Sequence, residues 1–204
     1  MIAELGHFAL AMALALAVVQ AVFPLIGAQR GDASWMAMAK PAILPEANIM
    51  MKWLWISALV IVLDQLTKVV MANWLELYQT VAVMPYFNFT LAHNSGAAFS
   101  FLAGAGGWQR WFFIGLAVSV SIVLIIWLSR LKAQAKVEAI AIALIIGGAI
   151  GNVIDRFIHG YVIDFIDLYV GSYHWPAFNI ADAAICIGAV LLIVDSFRKP
   201  AEQK

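Results

Sequence analysis

The sequence predicts a membrane-embedded bundle of α-helices carrying a small β element in the first loop outside the bilayer. Three observations predict it. Hydrophobic residues make up 64% of the 204 residues and charged residues 12%, with a mean hydropathy of +0.92, well outside the range of soluble globular domains. Long apolar segments recur along the chain, separated by short polar stretches. In one of those stretches the pattern changes from continuous apolar runs to β-branched and aromatic residues that partly alternate. Formal net charge is zero, so charge makes no case for nucleic acid or for an acidic partner. The single cysteine, Cys186 in AAICIGAVLL, cannot form an intrachain disulfide and reads as a small buried apolar residue.

A hydrocarbon core of about 30 Å needs roughly 20 mostly apolar helical residues. Five segments qualify: Phe8–Ala28, Trp53–Ala72, Trp111–Ser129, Ala139–Ile154 and Ile180–Val194. The first and third are uncharged, the second carries Asp64 and Lys68, and the fifth carries Asp182 near its start. The last two are short for spans, so their ends are expected where protein or water lines the helix. Basic residues alternate between the spans: Arg30, Lys40 and Lys52, then Arg130, Lys132 and Lys136, then Arg198, Lys199 and Lys204. The positive-inside rule makes those three sites cytoplasmic. The loops 73–110 and 155–179 then face outward, which in a Gram-negative cell is the periplasm.

Residues 1–50 read as a separate segment, an extra helix followed by the proline-punctuated linker KPAILPEANIM, and 51–204 as the main domain. With no basic residue ahead of its apolar run, the first segment is expected to be a retained helix rather than a cleaved leader. In the first outer loop, Val81–Leu91 predicts short strands broken at Pro85. Asn94-Ser95-Gly96-Ala97-Ala98-Phe99 follows as a turn whose small residues would let a ligand approach, although a plain loop explains it better by spacing alone. Trp108 and Trp111 around Arg110 form an aromatic belt at the start of the third span.

The second outer loop concentrates the candidate chemistry: Asn152, Asp155, Arg156, His159, Asp164, Asp167, His174, Asn179 and Asp182. Adjacent Asp155 and Arg156 at a helix end suggest a structural ion pair or a cap. His159 and His174 are isolated and read as solvated interface residues, and Asp167 in DFIDLY need not face the same way as Asp164. Asp182 could cap the helix beginning near Ile180, with Asn179 beside it. Capping does not account for Asp164, set between Ile163 and Phe165. A partly desolvated carboxylate with a second one nearby keeps a proton, because two like charges cannot both ionise cheaply. One protonated and one ionised aspartate can activate water against an amide and protonate the leaving amine. Alternatives are thinned by absence: there is no His-Glu-x-x-His, no serine with a helical histidine partner, and no base near Cys186.

From Met51 to about Lys199 the chain resembles the lipoprotein signal peptidase (signal peptidase II) family, in LDQLTK ending at Lys68, HNSGAAFSFL from His93, GGWQRWFF from Gly106, GGAIGNVIDR from Gly147, VIDFID from Val162 and FNIADAAI from Phe178. The resemblance implies a four-helix peptidase core, so the first helix is extra to it. It implies an aspartyl endopeptidase whose catalytic pair falls on Asp164 and Asp182. The polar residues around that pair fall on Asp64, Lys68, Asn94, Asn152, Asp155, Arg156 and Asn179, with Asp155 as rival for a catalytic role. The implied substrate is a diacylglyceryl-modified prolipoprotein cut before its lipid-bearing cysteine, drawn from the membrane lipids by a monomer in the inner membrane with its site at the periplasmic face. No metal or organic cofactor is implied. Residues 1–42 separately resemble the start of the haem-lyase subunit of cytochrome c maturation, without identifiable haem ligands. The competing reading of the polar residues is a small secondary transporter or proton carrier using Asp64, Lys68, Asp164 and Asp182.

Overall fold

The computed structural model describes residues 50–96 and 107–198. The expectations for residues 1–49, including the first helix, the linker and the haem-lyase likeness, and for Ala97–Phe99 lie outside the described residues. Within them the order is α1 (Leu54–Trp74), β1 (Thr80–Met84), β2 (Phe87–Asn94), α2 (Trp108–Arg130), α3 (Lys136–Ile158), β3 (Val162–Val170), β4 (Tyr173–His174) and α4 (Ile180–Arg198). All four helices are long and apolar enough to cross a bilayer.

Helix α3 is the central member, packed against α1, α2 and α4. More than half of its span is buried, against less than a quarter of each of the others. Its sequence explains the position: AIAIALIIGGAIG offers small side chains on several faces, and small residues let neighbouring backbones approach closely where lipid supplies no hydrophobic drive between helices. At Gly148 an added Cβ would collide with the carbonyl oxygen of Ala181 and lie 2.7 Å from Ile185 Cγ1, so α3 and α4 are in backbone contact there. Ser57 Oγ of α1 donates to the Ala143 carbonyl at 2.6 Å, fastening α1 to α3. A buried cluster of Leu124, Leu128, Ala139, Ile142, Ile146 and Leu192 closes the opposite end, with Met50 inside it. Outward faces carry exposed Val62, Leu66, Val69, Ile122, Ile126, Ile187 and Val190, the reverse of a soluble bundle and suited to lipid. Cys186 belongs to that exposed surface, which corrects the expectation that it is buried.

Helix α3 is also longer than the expected 139–154. It takes in Lys136 and Glu138 at one end and Asp155 and Arg156 at the other, so these residues lie in helical turns rather than in loops. Charge alone was a poor boundary, because Glu138 sits in the first turn and Arg156 in the last, where each complements the helix dipole. What ends the helix is Gly160, whose φ of 87° carries the chain out in a left-handed cap while its amide donates to Arg156 O at 3.1 Å.

The β element lies in both outer loops rather than in the first alone. The four strands run in the order β1-β2-β3-β4, antiparallel throughout. β1 and β2 are joined across Pro85 and Tyr86, the latter at a φ of 72°. β3, formed by VIDFIDLYV, pairs with β2 so that Ala92 opposes Asp164 and Asn88 opposes Asp167. Leu75, Leu91 and Ile163 pack together beneath the sheet and seat it on the end of α1. Helix α4 starts well below that end: the Ala181 amide meets the carboxylate of Asp64, ten residues before α1 finishes. At about 1.5 Å per residue α4 starts about 15 Å short of the end of α1, and α4 is the shortest of the four helices.

Since backbone cannot yield at Gly148, Gly148→Ala should cost about 1–3 kcal/mol, the usual range for overpacking. Gly115→Ala, whose added methyl meets nothing within 4 Å, should be neutral. Thermal unfolding of the two variants in detergent compares them, and an equal midpoint would mean that α3 and α4 are not in backbone contact.

Candidate active site

Lys68 is almost fully buried, which requires every donor on its ammonium to be used. It meets Asp64 Oδ2 at 2.8 Å, Asp155 Oδ2 at 2.9 Å and Asn152 Oδ1 at 3.1 Å. The first contact follows from helical spacing, four residues being one turn along α1. The others arrive from α3. Asp64 places its second oxygen on the Ala181 amide at 2.9 Å, at the start of α4. Asp155 accepts the Ile163 amide at 3.0 Å, holding the beginning of β3. Gln65 donates to both carboxylates, at 3.2 Å to Asp64 and 2.8 Å to Asp155, and to Gly151 O at 3.3 Å.

Asp155 is therefore not the ion-pair partner of Arg156. Adjacent residues on a helix point in different directions, and these two separate accordingly. Arg156 donates to the Gly96 carbonyl at 2.7 Å and to its own helix at Asn152 O at 3.4 Å, and its guanidinium lies 5.2 Å from the Phe113 ring. It braces the first outer loop against α3.

Asn179 caps α4. Its Oδ1 accepts the Asp182 amide at 2.9 Å, and Asp182 Oδ2 returns toward the Asn179 amide at 3.4 Å, a reciprocal capping pair. The expected capping role of Asp182 is thus present, and it leaves Oδ1 to accept Asn152 Nδ2 at 2.7 Å. From the same cap, Asn179 Nδ2 donates to Asp164 Oδ1 at 2.7 Å, with Asn152 Oδ1 and Ile163 O within 3.2 and 3.3 Å. Asn94 Nδ2 reaches the other oxygen of Asp164 at 3.2 Å, while its Oδ1 accepts the Gly96 amide at 3.1 Å. Asp164 is aimed by a local irregularity in β3, because the Phe165 and Ile166 amides both donate to the Phe178 carbonyl. That bulge shifts side-chain direction beside it.

All nine sequence-predicted residues therefore fall in one hydrogen-bonded constellation at the sheet end of the bundle. Burial, followed by the nearby Asp182 charge, pushes the Asp164 carboxyl well above the usual carboxylate range, although Asn94, Lys68 and Asn179 pull the other way. Asp182 is half-buried at the start of α4. A carboxyl that keeps its proton beside a second carboxylate can deliver one proton and accept another.

The histidines stay outside this constellation. His159 stacks near Tyr161 at 5.7 Å, and half-exposed His174 pairs with Asp167 at 2.9 Å. Asp167 takes different partners from Asp164, consistent with their being separate groups. Sequence reasoning passed over Gln65, which links the two Lys68 carboxylates. The available signal was a polar residue directly beside Asp64 in an apolar span.

The family model described as Signal peptidase (SPase) II matches residues 56–198. A curated lipoprotein signal peptidase from Alteromonas mediterranea is 58% identical over 148 residues, covering 72% of this chain and 81% of that protein. Its counterpart from Photorhabdus laumondii is 54% identical over 159 residues, 78% of this chain and 95% of that one. A solved bacterial membrane enzyme superposes with a TM-score of 0.66 at 32% identity, over 75% of this chain and 92% of its own. With the family model matching residues 56–198 and relatives more than 50% identical over most of their own length, the chain belongs to the signal peptidase II family and is a multi-pass membrane aspartic peptidase.

Proposed function

We propose that the chain removes signal peptides from diacylglyceryl-modified prolipoproteins, using Asp164 and Asp182 as the catalytic dyad. The observation that carries this reading is the pair itself: two carboxylates from different elements, β3 and α4, each held by asparagine amides and close enough for the charge on one to act on the other. In the mechanism the ionised member takes a proton from water as it adds to the scissile carbonyl. The protonated member hydrogen-bonds the carbonyl oxygen and then supplies the proton that the leaving amine needs. Asn94, Asn152 and Asn179 hold the carboxylates in place without adding charge. Asp155, with both oxygens committed to Lys68, Gln65 and the Ile163 amide, serves as a support rather than a reacting group.

The substrate reaches the dyad as a monomeric enzyme would require, laterally from the surrounding membrane lipids. Its signal helix lies along the exposed apolar surface and the scissile bond sits at the dyad, beside the start of α4. The basic residues Lys52, Arg130, Lys132 and Lys136 at the opposite ends of the helices support an orientation with the sheet end periplasmic, as an inner-membrane enzyme would have. A proton carrier would need ionisable groups staggered through the bilayer. Asp64, Lys68, Asp164 and Asp182 instead belong to one connected cluster, which disfavours transport.

Asp164→Asn and Asp182→Asn should each reduce cleavage of a diacylglyceryl-modified prolipoprotein by at least about 10³-fold, as removal of a reacting group does. A gel-shift assay with purified enzyme reads this, and near-normal turnover in either variant would sink the dyad.

The raised Asp164 pKa carries a second expectation, with a definite sign. The folded protein disfavours the ionised carboxylate, so the proton stabilises the fold below the ordinary carboxylate range and that stabilisation is lost as pH rises through the elevated pKa. Asp164→Asn should therefore gain in melting temperature over the parent as pH is raised and lose the advantage in acid. Parallel melting curves across that window would contradict it.

Residues 1–50 are proposed as an appendage to a peptidase domain spanning 51–204, with one refinement. Met50 is buried in the helical core, so a truncation must retain it. A chain beginning at Met50 should cleave at a rate within about twofold of the full chain, since the family match lies wholly within residues 56–198. Loss of turnover by a folded truncation in the same gel assay would assign those residues to the enzyme.

A further inference from the structure

The two proposed catalytic aspartates lie on opposite arms of one hairpin. Asp164 is on β3, the chain turns at Gly171 and Ser172, and β4 leads back through Trp175–Phe178 to Asn179 and Asp182. The backbone ties this return arm to β3 at β4, at Trp175 and at Phe178. β4 contributes only two paired residues, opposite Tyr169 and Val170, and Pro176 has no amide to donate. Trp175 N bonds to Leu168 O at 2.7 Å, and the Phe178 contacts to β3 complete the register.

A buried carboxylate sits in the middle of this arrangement, and the cleavage mechanism does not use it. Asp167, 6% exposed, accepts Asn88 Nδ2 from β2 at 2.8 Å and faces His174 Nδ1 from β4 at 2.9 and 3.0 Å. The His174 ring is stacked on Tyr169 at 5.3 Å with an interplanar angle of 17°. One carboxylate thus ties three strands together, three residues along from Asp164 on one arm and five residues before Asn179 on the other. Leaving such a carboxylate without partners would be costly, which makes the side-chain pairing a firm constraint on where the arms lie.

We propose that Asp167 and His174 form a positioning clamp that sets the spacing of Asp164 and Asp182 for the cleavage reaction. The proposal rests on the dyad reading above. Both residues act through the hairpin and neither touches the reacting atoms. Misplacement of a reacting group by about 1 Å can lower turnover by about 10²-fold, so a modest opening of the arms is enough to matter.

The test compares kcat and KM for a synthetic diacylglyceryl-modified prolipoprotein with the full-length enzyme. His174→Ala should lower kcat about tenfold, a part of the loss full misplacement would bring, with KM changed less than twofold. His174→Asn, whose amide nitrogen occupies nearly the place of Nδ1, should recover most of the loss. Asp167→Ala combined with His174→Ala should be no worse than the weaker single variant, because the two residues form one device. Unchanged kcat in His174→Ala, a loss confined to KM, or failure of His174→Asn to restore turnover would each overturn the clamp. Asp164→Asn, run alongside, separates the two readings. An inactive Asp164→Asn with a fully active His174→Ala removes the clamp alone, whereas an active Asp164→Asn removes the dyad and the clamp with it.

Discussion

The arrangement depends on one buried ammonium. Lys68 draws Asp64 on its own helix and Asp155 and Asn152 on α3; Asp64 takes the Ala181 amide on its other oxygen, and Asp155 takes the Ile163 amide on the same oxygen that meets Lys68. Those two amides open α4 and β3, the elements that carry Asp182 and Asp164. A lysine inside an apolar bundle would be prohibitive if left alone, and removing one partner of such a pair typically costs about 3–5 kcal/mol. That penalty gives the network its specificity. The start of α4 and the start of β3 are fixed because any other placement strands a buried charge.

Neutral amides then carry the constraint outward. Asn152 is the joint: its Oδ1 is shared by Lys68 and Asn179, while its Nδ2 holds Asp182. Asn179 both caps α4 and donates to Asp164, so the helix begins only when the two carboxylates are in register. The recessed start of α4 follows from the same bonds, since Asp64 can reach the Ala181 amide only if α4 begins beside the middle of α1.

Much of this was legible in the sequence, for identifiable reasons. The four described helices follow from long apolar runs, and the Asp64–Lys68 contact follows from helical spacing alone. Alternation around Val81–Leu91 marked strands correctly. The harder parts involve contacts distant in sequence. Asp155 seemed bound to its neighbour Arg156, yet its partner lies on another helix, and one-dimensional adjacency cannot reveal that. VIDFIDLYV reads as an alternating stretch, but a strand needs an edge to pair with, and β2 supplied it from the other loop. Cys186 looked buried because its whole segment is apolar. In a bilayer, apolar composition does not distinguish the protein-facing side of a helix from the lipid-facing side. The small residues of α3 carried a usable signal, since a helix rich in alanine and glycine can be surrounded by others.

Charge balance connects this scaffold to the chemistry. Around the recess, two cations, Lys68 and Arg156, stand among four carboxylates, Asp64, Asp155, Asp164 and Asp182. Asp64 and Asp155 are committed to Lys68, and the terminal nitrogens of Arg156 donate to the Asn152 and Gly96 carbonyls while its buried Nε has no partner among the described residues, so Arg156 acts on the dyad through its field. Among the described residues no cation is therefore bonded directly to Asp164 or Asp182. Had Lys68 or Arg156 paired with either one, the partner would have held both carboxylates ionised and removed the acid that amide cleavage needs. On the proposed reading of Asp164 and Asp182 as the catalytic pair, satisfying each cation elsewhere and giving the pair only asparagines would leave two like charges to resolve their repulsion by keeping a proton, the state from which one carboxyl can act as acid while the other acts as base.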